Sequence, residues 1–190
     1  MKMLLVGASI VVVLSTASIA GATTTSSPKK WVSTLCTTFV GWEQAAKTND
    51  LKLDSAIETL EKSGHANLTQ LRSQLAGFLG KLAVASHKAQ SQMKVVGAPS
   101  VPHGSDIQKT VVNALGTAAA FLDHSKAKVL KFPTGKHDTA AFVNKTQALT
   151  ASITTTFNKV ASSLSALNKY HATQLKAAAS SDPACKKLAG

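Results

Sequence analysis

Gly97-Ala98-Pro99-Ser100-Val101-Pro102-His103-Gly104 parts two long stretches of helical periodicity, and its reading decides the fold. Two prolines and two glycines within eight residues cannot continue a helix. Proline removes a backbone donor and clashes with the preceding turn, and glycine adds backbone freedom. The segment therefore reads as the bend of a helical hairpin. Ser105, with Gln108 three residues on, has the form of a capping box that opens the next helix.

Working outward, Leu68, Leu71, Leu75, Phe78, Leu82, Ala85 and Ala89 recur in steps of three and four before the bend. They form the cleanest apolar seam in the chain, and Asn67 with Gln70 is positioned to cap that helix. After the bend, Ile107, Val111, Ala114, Ala118, Phe121 and Leu122 repeat likewise, until Pro133 disfavours helical geometry in its predecessor. Upstream, Ser27-Pro28 suits an N-cap and first helical position, and Trp31, Leu35, Phe39, Trp42 and Ala46 share one face. Thr48-Asn49-Asp50 is a candidate interruption, and Gly64 a candidate stop. Downstream, Asp138 is the expected cap of a stripe from Phe142 through Leu149, Ile153, Phe157, Leu164 and Tyr170 towards Leu175.

These patterns predict an all-α, up-and-down four-helix bundle, with helices near 28–62, 66–96, 105–131 and 138–178. The expected divisions are a signal peptide at 1–22, a polar lead at 23–27, the bundle at 28–178 and a tail at 179–190. No strand pattern competes. Connections this short join neighbouring helices antiparallel, which brings residues 36 and 185 to the end that carries the central turn.

Lys2, the apolar run from Met3 to Leu14 and the small residues ending in Ala20-Gly21-Ala22 have the layout of a cleavable secretory signal. An uncleaved anchor is the alternative, but Met3–Ala20 contains Ser9, Ser15 and Ser18 and is marginal for a span. No later segment is apolar enough to span a bilayer, so no membrane anchor is expected after cleavage. The location expected is secreted or cell-envelope. In that setting an even cysteine count implies a disulfide, and Cys36 and Cys185 allow one pairing.

The whole chain carries 21 Lys and Arg against nine acids, a net charge of +12, and Arg72 is its one arginine. Scarcity of bidentate guanidinium groups argues against specific nucleic-acid reading. A lysine-rich surface suits weak, salt-sensitive association with anionic envelope polymers or lipid head groups, or simply solubility. Lys126, Lys128, Lys131, Lys136 and Lys145 form the localised patch expected for such contact, although the acids from Asp50 to Glu61 end at the same pole.

Chemistry finds little support. The six histidines form no closely paired or E-x-x-H motif, and no nucleophile elbow, phosphate loop or dinucleotide fingerprint occurs. No enzyme activity, cofactor or metal is expected. Trp31 and Trp42 read first as core, with a second reading in which they border an apolar groove with Val101 and Pro102. A non-catalytic envelope protein is thus the leading expectation, and a carrier of a small apolar ligand the alternative.

Three spacings occur together: Trp-x4-Cys-x5-Trp (Trp31, Cys36, Trp42), Gly-x-Pro-x-Val-x-x-Gly (Gly97, Pro99, Val101, Gly104) and Pro-x-Cys-x-x-Leu (Pro183, Cys185, Leu188). In these the chain resembles a group of small exported actinobacterial proteins, many of them lipoproteins, that are helical bundles of unassigned function. The resemblance spans the mature chain and implies an envelope or extracellular location with no known activity. This chain departs from the tethered members in lacking a lipobox cysteine, and in being basic.

Overall fold

The computed structural model describes residues 25–62 and 67–189, with side chains left out over 49–62 and at 189. The leader assigned to 1–22 and the stop assigned to Gly64 lie outside the described residues. The chain is mostly helical. Its elements are β1 (Thr25–Ser26), α1 (Pro28–Lys62), α2 (Leu68–Val96), β2 (Ala98–Pro99), α3 (Gly104–Val129), α4 (Thr139–Ser165), a 3-10 turn (Ala166–Tyr170), α5 (Thr173–Ser181) and α6 (Pro183–Ala189).

Several local expectations hold. The Lys30 N–H donates to Ser27 Oγ at 3.3 Å, and the Gln70 N–H to Asn67 Oδ1 at 3.0 Å, so both caps form. The central bend also forms. Gly97 has φ 75°, and a Cβ on Gly104 would lie 1.9 Å from the Pro99 carbonyl oxygen, so the turn closes only over a bare backbone.

Other expectations are corrected. The Thr48-Asn49-Asp50 triplet does not interrupt α1, which runs on to Lys62. Ser105 caps nothing: α3 begins one residue earlier, after His103 in left-handed geometry, and Gln108 turns inward instead of back to the cap. Asp138 precedes α4 as expected, but its carboxylate accepts the Gly135 N–H at 2.7 Å and makes no cap bond to the helix. A two-residue parallel pairing of β1 with β2 appears where no strand was expected, too short for periodicity to reveal. The fourth helix does not run to 178; it gives way at Ala166 to the 3-10 turn and to His171 at φ 47°. The tail is itself helical. Asp182 accepts the N–H groups of Ala184 and Cys185 at 2.8 and 3.1 Å, so Asp182-Pro183 starts α6 as well as ending α5.

Antiparallel packing of α1 on α2 is read from its polar ties. Thr38 Oγ1 donates to Gln92 Oε1 at 3.2 Å, and Trp42 Nε1 to Ser86 Oγ at 3.0 Å, so the numbers fall on one helix as they rise on the other. The tightest packing is α2 on α3, where Ala76, Ala83, Ala114, Ala118 and Ala119 are buried and let the two backbones approach. The α2 surface buried deepest (Ala76, Leu79, Ala83, Ser86, Met93) is accordingly rotated from the leucine seam, of which Leu68, Leu82 and Ala89 are also buried. Leu71, Leu75 and Phe78 of that seam remain only half-buried. α3 also carries α4, while α5 and α6 return to α1, and Cys185 is bonded to Cys36 with Cα atoms 4.9 Å apart. Two apolar clusters result, one around Leu79, Leu122 and Phe142, the other around Trp31, Met93 and Val111.

Candidate functional site

Among the described residues the seam between α1 and α4 lacks close backbone contact. α1 packs on α2, α5 and α6, and α4 packs on α3, whereas the α1 and α4 backbones have no comparable approach among the described residues. Side chains span the gap, with the Trp42 and Phe157 rings 5.6 Å apart. Of the α4 residues only Phe142 and Leu149 are buried, both in its first half. Ile153, Phe157, Val160 and Leu164 beyond them stay half-exposed, as do Leu35, Phe39 and Trp42 of α1.

Two cavities occupy this seam. The lower, about 310 Å³, lies among Trp42, Ala46, Phe78, Leu122, Ile153 and Phe157, so α1, α2, α3 and α4 all contribute. The upper, about 790 Å³, has an apolar floor of Trp31, Val32, Leu35, Cys36 and Ile107. Its outer wall is the arm after α4, with Leu167, Leu175 and Ala179 beside the polar residues Asn168, His171, Thr173 and Lys176. Both volumes fall in the range of small-molecule sites, which are mostly apolar with a few grouped polar atoms.

The floor of the upper cavity is held rigidly. Trp31 is 2% exposed and donates its indole N–H to Gln108 Oε1 at 2.6 Å, while Gln108 Nε2 donates to the Met93 carbonyl. One amide thus joins α1, α2 and α3, and the indole presents its apolar ring to the cavity with its polar atom already satisfied. The wall is held by α6. The disulfide anchors it, and the Asp182 carboxylate, 8% exposed, is bonded both to the start of α6 and to Ser33 of α1. The Cys185 N–H above all, then the Ser33 hydroxyl, the Ala184 N–H and the nearby Lys29 charge, hold this carboxyl below the usual carboxylate range against the opposing effect of burial.

A lowered folded-state pKa stabilises at neutral pH. That contribution is complete above the unfolded-chain value of about 4 and disappears as pH falls through the lower folded value. Thermal unfolding of the disulfide-bonded protein should therefore show wild type losing more Tm than Asp182→Asn between about pH 4 and pH 2. Asn retains the capping oxygen but not the charge. Parallel Tm profiles would rule out Asp182 as the source.

The residues expected to share one groove are divided. Trp31 and Val101 belong to the upper cluster, Trp42 packs against the lower one, and Pro102 is exposed; neither Val101 nor Pro102 borders a seam cavity. The lysine patch is brought together in part. Lys128, Lys131 and Lys145 border a third cavity of about 370 Å³ where α3 turns into α4. Lys126 lies elsewhere, over Gly80, and Lys136 does not border the cleft. The side chains of Asp50, Asp54, Glu58 and Glu61, expected to oppose that patch, lie outside those described.

Among the histidines, His87 meets Asp123 at 2.7 Å and His103 stacks on Tyr170 with centroids 5.2 Å apart. Among the described residues no three potential metal ligands converge, and no helix is long and apolar enough to cross a membrane. The arm residues Leu167, His171 and Lys176 were missed because the fourth stripe reads as unbroken through them. The available signal was Asn168 with His171, residue types that tolerate left-handed backbone. No family model, curated protein or solved structure matches the chain.

Proposed function

We propose that this is an exported, non-catalytic protein that carries a small apolar ligand in the seam between α1 and the α4–α5 arm. The cavity of about 790 Å³ over Trp31, Leu35 and Ile107 is the observation that carries this reading. We also infer an up-and-down four-helix arrangement in which the α1–α4 seam stays open for the ligand. The bonded Cys36–Cys185 pair and the leader-like start support export, as does the resemblance to small exported actinobacterial proteins. Titration of the mature, disulfide-bonded chain with an apolar fluorescent probe should give saturable one-to-one binding. Its affinity should change by less than about twofold between roughly 0.05 and 0.5 M salt. Filling the site by Leu35→Trp should abolish binding while the far-ultraviolet dichroism stays unchanged. Absence of saturable binding would overturn the reading.

The lysine cleft favours a second reading, weak association with anionic envelope polymers or lipid head groups. Lys128, Lys131 and Lys145 converge there, whereas the other two lysines of the patch do not. Changing these three to Gln should weaken retention on anionic vesicles at low salt by about two orders of magnitude, at roughly 1 kcal/mol for each charge. Equal retention by the triple variant would discard this surface.

A further inference from the structure

The upper cavity is asymmetric in a way that specifies its occupant. Its floor, from α1 and α3, is apolar, and its polar side chains are confined to the arm that follows α4. Asn168, His171, Thr173 and Lys176 lie within nine residues of one another, and among the described residues no Asp or Glu borders the cavity. Among the described residues the Lys176 ammonium enters no ion pair. Asp182, six residues beyond Lys176, caps α6, and Asp106, next to the floor residue Ile107, lies 3.7 Å from His103.

The backbone at His171 adds a second observation. His171 and His103 are the only non-glycine residues at positive φ among those described, at 47° and 58°. Such geometry costs roughly 1 kcal/mol or more, and it persists only where the surrounding structure enforces it. Here it redirects the chain from α4 into α5, which brings His171 and Lys176 onto the rim of the apolar floor.

We propose that the upper cavity binds a single-chain amphiphile with a carboxylate head group. The head meets Lys176, with Asn168, His171 and Thr173 as hydrogen-bonding neighbours, and the hydrocarbon chain lies over Trp31, Leu35 and Ile107. This rests on the seam being a ligand site, and the test separates the two. Along α1 the upper cavity borders Trp31 to Cys36 and the lower one Trp42 to Lys47; a chain reaching from the first into the second would extend about 22 Å, at 1.5 Å per residue, so the ligand proposed is unbranched.

The measurement is calorimetric titration of the mature, disulfide-bonded protein with hexadecanoate, hexadecanol and hexadecylamine below their aggregation concentrations. Hexadecanoate should bind about tenfold more tightly than hexadecanol, and hexadecylamine more weakly than either. Lys176→Gln should bring hexadecanoate down to the level of hexadecanol and leave hexadecanol unchanged, which a merely structural role for Lys176 would not do. His171→Gly, which suits the left-handed backbone, should reduce the preference by a smaller factor. Equal binding of the three compounds, or a Lys176→Gln loss shared by acid and alcohol, would overturn the carboxylate assignment and leave the apolar site standing. Binding of none of them would overturn both.

Discussion

Replacing Cys36 and Cys185 with serine should lower the free energy of unfolding by about 5 kcal/mol. The two cysteines are 149 residues apart, so the bond closes most of the chain into one loop. In the chain-entropy model the gain rises with the logarithm of loop length, and this loop lies near its upper end. Domains of this size are stable by only about 5–15 kcal/mol, so the loss would take a large share of the total. The native-state effect is more local. Cys185 lies in α6, and α5 and α6 pack on α1, so loss of the bond should free the arm that walls the upper cavity. Urea unfolding of oxidised, reduced and Cys36→Ser/Cys185→Ser protein should give a lower midpoint for the last two, and weaker probe binding even where all three are folded. A stability change under about 1 kcal/mol would show that the loop is already constrained in the unfolded chain.

Trp31→Ala should cost about 4 kcal/mol, the magnitude expected when a large aromatic leaves a packed site. Two losses combine. The floor between α1, α2 and α3 loses its largest side chain, and Gln108 Oε1 loses the indole donor at 2.6 Å. Trp31→Phe separates them, because it preserves most of the packing and removes only the donor. That variant should cost about 1–3 kcal/mol, the penalty of leaving a part-buried acceptor unpaired. Adding Gln108→Leu to Trp31→Phe should then cost less than the two single changes summed, since the amide no longer has an indole to serve. Strict additivity in that double-mutant cycle would show that the Trp31–Gln108 bond contributes nothing to stability. Chemical denaturation followed by Trp42 fluorescence serves all variants, because Trp31 and Trp42 are the only two tryptophans in the sequence.

Local chemistry by itself determined the helical character of the chain, the turn at Gly97–Gly104 and the pairing of the cysteines. Each depends on residues close in sequence or on a count with one solution: periodic apolar side chains, prolines and glycines that bar a helix, two cysteines in a chain with an export-like start. The caps at Ser27 and Asn67 were legible for the same reason, since donor and acceptor lie three residues apart.

Only the tertiary structure decided how those helices use their faces. Large side chains mark an apolar stripe in sequence, yet α2 buries Ala76, Ala83 and Ser86 beside Leu79 and Met93, because close approach to α3 rewards small residues on both helices. Gln108 reads as half of a capping box, but the Trp31 indole and the Met93 carbonyl, 77 and 15 residues away, draw it inward. Nothing in the periodicity of α4 reveals that it ends at Ser165. There the chain passes through the 3-10 turn to His171 in left-handed geometry, after which α5 and α6 pack on α1 and Cys185 meets Cys36. That turn carries His171 and Lys176 to the apolar floor under Trp31, which makes the candidate site a product of long-range closure rather than of any local motif.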